Sequence, residues 1–248
     1  MLNPKLRIMN IPGKGTTVNV PVDNEADGEF VSTNEAAAFD RDAPAVTKVA
    51  MTLVKYSKKV ELSVELLEDE DSNLLSFLND FVGRGLAKTY NSLLLTEAAN
   101  GTKLADFANT SIAAGKLEEM VGNSTLDPYL DDSGSVAWIM QPSTKWAINV
   151  INTSDRFYTG MENVPPRRGG DLLGYPVHTS AKASAIGTGN KSVFFGNWSY
   201  MGFREAPGLT VIRDPYTLAA NGQIRFVYMF RAVYKILQAT AIGYGQHA

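Results

Sequence analysis

Gln223-Ile-Arg-Phe-Val-Tyr-Met-Phe-Arg-Ala-Val-Tyr-Lys-Ile236, continuing through Leu237-Gln-Ala-Thr-Ala-Ile242, is the stretch on which the fold reading turns. Ile224, Phe226, Tyr228, Phe230, Ala232, Tyr234 and Ile236 occupy one phase of a period of two. Arg225, Val227, Met229, Arg231, Val233 and Lys235 occupy the other. Strand side chains alternate between faces, so the pattern predicts a strand with one strongly apolar face. At ~14–20 residues it would far exceed the usual ~5–6, and a bulge or bend is expected to divide it.

Leu74, Leu75, Leu78, Phe81, Val82, Leu86, Tyr90, Leu93 and Leu94 recur mostly at spacings of three and four, which predicts a helix over Ser72–Leu95. Such a helix would be roughly 36 Å long. The carboxylates of Glu68-Asp-Glu-Asp71 precede it, and Asp71 or Ser72 can cap it. Negative charge is favoured at a helix N-terminus, so this cluster reads as helix-start charge rather than a catalytic acid–base pair.

Further upstream, Thr16–Val22 alternates as an edge strand marked by Pro21, and Val46–Val64 is a second strand-like run. Between them, residues 23–42 hold seven acids (Asp23, Glu25, Asp27, Glu29, Glu35, Asp40, Asp42) against one base, Arg41. A structureless connection of ~20 residues is uncommon inside a compact domain. Phe30 and Phe39 favour a segment laid on another molecule, because aromatics are poor in disordered tracts and useful at interfaces.

Downstream, Lys116–Val121 reads as a short helix and Val136–Met140 as a buried strand. Pro142 opens a helix to about Asn152, and Leu172–Thr179, Ser192–Phe195, Gly202–Arg204 and Leu209–Arg213 read as strands. The class is α+β, in an elongated molecule.

Composition removes most enzyme chemistries. The chain has no cysteine, which excludes disulfides, thiolate metal sites and cysteine nucleophiles. His178 and His247 are its only histidines, so no multi-histidine metal site is expected. No apolar run approaches the ~18 residues of a membrane span, and Met1-Leu-Asn-Pro-Lys5 lacks the apolar core of an export signal. Gly13-Lys-Gly-Thr-Thr17 fails as a phosphate loop because Ile8 stands where the first glycine is required. Gly187-Thr-Gly189 fails as a dinucleotide fingerprint because Ser192 replaces its third glycine. Asp131 and Asp132 have no second carboxylate opposite them, which disfavours a hydrolase. No catalytic, cofactor-binding or metal residue is therefore assigned.

The net charge of −3 conceals a gradient. Residues 1–71 are net −5, residues 72–141 net −4 and residues 142–248 net +6. Such polarity suits one copy's front half meeting another's back half. A nucleic-acid-binding module would carry a basic excess, which this chain lacks.

Several blocks, taken in order, resemble the major capsid proteins of tailed double-stranded DNA bacteriophages, which share the Hong Kong ninety-seven fold. They are Val64-Glu-Leu-Leu-Glu-Asp-Glu70 running into the long helix, Leu173-Gly-Tyr-Pro-Val177 and Phe194-Phe-Gly-Asn-Trp-Ser-Tyr200. Leu209-Thr-Val-Ile-Arg-Asp-Pro-Tyr216 and Asn221-Gly-Gln-Ile-Arg-Phe-Val227 with Phe230-Arg-Ala232 complete the set. The order and spacing of these blocks, and not any one of them, carry the resemblance.

The resemblance implies a Hong Kong ninety-seven-like capsid fold with an N-terminal arm at 1–12, truncated or processed, and an extended E-loop at 13–60. It further implies a P-domain at 61–108 and 200–235, built on a spine helix, and an A-domain at 109–199 and 236–248. Implied inter-subunit contacts are Glu25, Asp27, Glu29, Phe30, Phe39 and Arg41 in the E-loop, and Arg167 and Arg168 near the capsomer centre. The expected partners are other copies in hexamers and pentamers, then portal, scaffold or protease, decoration proteins and enclosed double-stranded DNA. The expected location is the virion, assembled in the bacterial host cytoplasm. An encapsulin-like bacterial compartment shell is the alternative.

Two departures from the family pattern stand out. Some relatives crosslink an E-loop Lys to a neighbour's Asn with help from a Glu. Here no Lys occurs between Lys14 and Lys48 and no acid follows Asp214, so non-covalent cohesion is expected. Many family precursors also begin with a helical scaffolding segment, which this sequence does not show.

Overall fold

The computed structural model describes residues 1–23, 32–35, 38, 46–69, 74–130, 134–150 and 171–248. With elements numbered along the chain, Gln223–Ile236 forms a single 14-residue strand, β12. It organises a five-stranded sheet. On one side it pairs antiparallel with β4 (Val54–Ser63), from Gln223↔Ser63 to Ala232↔Val54. On the other it pairs with β11 (Thr210–Asp214) and β10 (Met201–Glu205), and β10 also takes the short β1 (Met9–Asn10) in parallel.

The apolar phase of β12 is buried as its alternation requires, and α3 (Leu74–Ala98, 25 residues) lies across it. Val82 packs with Ile224, Phe226 and Tyr228. Nearer its C-terminus, Tyr90, Leu94, Leu95 and Ala98 pack with Phe230, Ala232 and Tyr234. The N-terminal turn α1 (Asn3–Leu6) joins this core through Leu2 and Leu6, and Asn3 Oδ1 accepts from the Tyr234 hydroxyl at 2.6 Å. The short helix α2 (Val64–Asp69) follows β4.

A second sheet runs β5-β13-β9-β6-β8-β7, comprising β5 (Thr102–Phe107), β13 (Ile242–His247), β9 (Lys191–Asn197), β6 (Val136–Met140), β8 (Tyr175–Thr179) and β7 (Asp171–Leu172). Ala137, Ile139, Phe194 and Ile242 face the end of α3, with Trp198 fully buried among them, so one core joins the helix to both sheets. The opposite face presents Trp138, Met140, Val193 and Phe195 to Leu117 of α4 (Ala114–Val121), Leu126 before α5 (Asp127–Leu130) and Ile148 of α6 (Pro142–Val150). Gly196, at φ +148, permits the close approach of β9 to the chain before β13; a Cβ there would lie 2.3 Å from the Ala241 carbonyl oxygen.

The remaining strands, β2 (Thr17–Asp23) and β3 (Val46–Thr52), form a separate antiparallel hairpin. No residue of β2 is fully buried, and in β3 only Met51 is. A lone hairpin is marginally stable in water, so this one depends on its root.

Several expectations need adjustment. The terminal strand is not divided by a bulge; the break comes after Ile236, where a 3-10 turn at Ala239–Ala241 leads into β13. The long helix extends to Ala98, three residues past the expected end, and its proposed caps Asp71 and Ser72 lie outside the described residues. The run 172–179 is split by a turn in which Leu173 and Gly174 both take positive φ. The strand-like run 46–64 divides at Leu53 into one strand of the hairpin and one of the five-stranded sheet.

Tyr90 is buried between α3 and the five-stranded sheet, and its hydroxyl donates to Glu205 Oε1 at 2.6 Å. Burial, then the adjacent Glu205 carboxylate, pushes the phenol well above its ordinary value of 10.0; burial also raises Tyr234. Because the folded form holds these protons more tightly, their stabilisation is complete below about pH 10 and is lost as pH rises beyond it. Thermal melts should therefore fall between about pH 9.5 and 11. Tyr90→Phe should flatten that slope while lowering stability at pH 7 by about 1–3 kcal/mol, since it strands a carboxylate.

Candidate assembly surface

The hairpin is fixed to the body by one guanidinium. Arg204 in β10 is 1% exposed, and its register partner is Val233. Its Nη1 donates to the carbonyl oxygens of Thr16 (3.1 Å) and Met51 (3.5 Å), and its Nη2 to those of Gly15 (2.6 Å) and Gly13 (3.4 Å). An arginine stays charged in proteins, and no carboxylate pairs with this one among the described residues. Backbone carbonyl dipoles compensate it instead. The Leu53 amide donates to the Thr16 carbonyl at 2.9 Å, and Met51, fully buried, sits against Gly202. Gly13 is needed for this fit: a Cβ there would meet Val18 Cγ2 at 2.5 Å.

Beyond this root, β2 and β3 lead to opposite ends of the acidic segment. Glu25, Asp27, Glu29, Phe30, Phe39 and Arg41 all lie outside the described residues, as do Arg167 and Arg168. What the structure adds is the anchor of the hairpin root, Arg204, a residue the sequence places in a strand without a role. In Met201-Gly-Phe-Arg-Glu205 nothing distinguishes a buried arginine from an ordinary exposed one.

The body also displays surfaces suited to contact. On α3, Phe77 (58% exposed) and Phe81 stack at 6.5 Å, with Lys58 Nζ 3.7 Å over the Phe81 ring. Beside them, a cavity of about 270 Å³ opens between α3 and the sheet, lined by Tyr56, Lys58, Val82, Leu86, Tyr228 and Phe230. Its walls are largely apolar and aromatic, with Lys58 the one charged side chain in the lining. On the sheet face turned away from α3, the register places Lys55 beside Arg231 and Glu61 beside Arg225, the latter two joined at 2.9 Å. Trp146 of α6 is 58% exposed.

Of the two histidines, His247 is tied into the structure by hydrogen bonds. His247 is buried, with Nε2 2.7 Å from Ser192 Oγ and Nδ1 2.6 Å from the Ala108 carbonyl oxygen. Half-burial lowers the pKa of His178, and Lys5 lowers it further. Among the described residues no cluster of three or more His, Cys, Asp or Glu could hold a metal, and no helix is long and apolar enough to cross a membrane.

A family model described as the phage capsid family matches residues 6–247. The chain belongs to the phage capsid family. Solved structures agree on the fold. The capsid of a native GTA particle superposes with a TM-score of 0.78 at 18% identity, covering 98% of this chain and 90% of that one. A structure from Microbacterium phage Oxtober96 gives 0.69 at 13% identity, covering 97% and 89%. One from Mycobacterium phage Ogopogo gives 0.68 at 15%, covering 100% and 91%. A comparison with curated proteins gives no match. For a capsid-family subunit, a projecting hairpin without a core of its own and an anchored root make physical sense, because other copies can cover what a lone subunit leaves exposed.

Arg204→Met should unseat the hairpin by removing the donors to one buried and three part-buried carbonyls, at a cost of about 1–3 kcal/mol. Hydrogen exchange should accelerate in β2 and β3 much more than in β12. Arg204→Lys should recover only part of the protection, since one ammonium cannot span the carbonyls that the guanidinium fork reaches.

Proposed function

We propose that this chain is the major shell subunit of a tailed-phage head, assembling into hexamers and pentamers that enclose double-stranded DNA. The observation carrying this reading is the family match across residues 6–247, joined to a hairpin that projects from a root fixed by Arg204. The protein acts by assembly and not by turnover. Each contact between copies is weak, and a closed shell multiplies them. The net charge of −3 suits a wall that surrounds DNA without gripping it, since affinity for DNA is dominated by basic contacts to phosphate.

In this reading the hairpin and residues 24–45 lie in the E-loop at 13–60, α3 with β10 and β11 lies in the P-domain at 61–108 and 200–235, and β6–β9 with β13 lie in the A-domain at 109–199 and 236–248. Glu25, Asp27, Glu29, Phe30, Phe39 and Arg41 meet an adjoining copy, and Arg167 and Arg168 lie toward the capsomer centre. Portal, scaffold or protease, and decoration proteins are the further partners, with assembly in the bacterial cytoplasm. The matched structures are phage and GTA capsids, which supports a phage head over an encapsulin-like compartment.

Sedimentation of the purified chain across a concentration series tests the reading. Fast-sedimenting particles of many copies are expected above a threshold concentration. A Glu25→Gln, Asp27→Asn, Glu29→Gln variant should need more protein to reach that threshold. A chain that stays monomeric at every concentration and salt level contradicts the proposal.

A further inference from the structure

The edges of the five-stranded sheet are unequal. β11 pairs with β12 along one side, from Thr210↔Met229 to Asp214↔Arg225, and among the described residues no strand pairs with its other side. Val211 and Ile212 alternate onto opposite faces, and both are about half exposed, at 50% and 48%. Among the described residues no strand pairs with the outer edge of β4 either, but β4 carries Lys55, Lys58 and Lys59. Lysines are a usual means of keeping an edge from pairing with another chain. β11 has no lysine, and its two charges, Arg213 and Asp214, are opposite in sign.

We infer that β11 pairs antiparallel with β11 of a second copy about a two-fold axis, fusing two five-stranded sheets edge to edge. A two-fold contact must be self-complementary, and this strand is. Full overlap of its five residues requires the register centred on Ile212. There Ile212 faces the second copy's Ile212, Val211 faces Arg213, and Thr210 faces Asp214, so no like charges oppose. Sliding the centre to 213 sets arginine against arginine, and to 214 aspartate against aspartate; both are destabilising across a strand pair. The occupant is therefore another copy in one register. The inference rests on the shell reading only in that copies must meet.

The absence of cysteine makes the test direct. In the purified full chain at associating concentrations, Ile212→Cys places two thiols on side chains whose Cβ atoms stand about 4.5–5.5 Å apart. Mild oxidation should convert most of it to a covalent dimer on a non-reducing gel. Thr210→Cys should give at least tenfold less dimer, because its copies would stand roughly 14 Å apart along the strands. In the unaltered chain, amide exchange at 210–214 should slow on association. Equal crosslinking by both variants, or no crosslink and no slowing in associated protein, overturns the inference. Particles without the link leave the shell reading standing; a link without particles supports the strand pairing and counts against the shell.

Discussion

A positive charge buried without a counter-charge is expensive unless its surroundings supply compensating dipoles, and the placement of the hairpin follows from how Arg204 is compensated. The carbonyl oxygens of Gly13, Gly15, Thr16 and Met51 converge on its two terminal nitrogens. Bringing those carbonyls together fixes where both hairpin strands leave the body. Hairpin and guanidinium are thus mutually supporting: without the arginine the Gly13 and Gly15 carbonyls lose the donor they have here, the Leu53 amide still reaches Thr16, and without the turn the arginine loses three of its four acceptors. Among the described residues its Nε has no hydrogen-bond partner, so the compensation rests on the two terminal nitrogens.

That anchor would be of little use on a soft body. The C-terminal half of α3 packs against both sheets at once, with Leu94, Ala98 and Trp198 in a core shared by Ala232 and Ile139. Trp198 further donates its indole N–H to the Ala137 carbonyl at 2.8 Å, and Lys235 pairs with Glu97 at 3.0 Å. Helix, long strand and six-stranded sheet therefore resist bending relative to one another. A stiff body with a fixed projection suits a subunit whose contacts with its neighbours must repeat at the same angle in every copy.

Legibility in the sequence tracked periodicity. β12 and α3 were readable because long amphipathic alternation leaves little freedom of interpretation, and the uniformly apolar Val136–Met140 was readable as a buried strand. β5 and β13 were missed. Thr102-Lys-Leu-Ala-Asp-Phe107 does not alternate, and the glycines of Ile242-Gly-Tyr-Gly-Gln-His247 weaken strand propensity while letting Leu104 and Phe107 approach closely. Arg204 was invisible for another reason: its role comes from carbonyls more than 150 residues away in sequence, and local pattern carries no trace of them. The acidic segment, read as a candidate contact from charge and aromatics alone, lies mostly outside the described residues.

A density map of assembled particles, at a resolution that traces the main chain, tests the central claim most directly. The account predicts that each copy's hairpin leaves its Arg204-held root and continues, through residues 24–45, across an adjoining copy. Density showing that segment folded back onto its own body, without contact to any other copy, would contradict it.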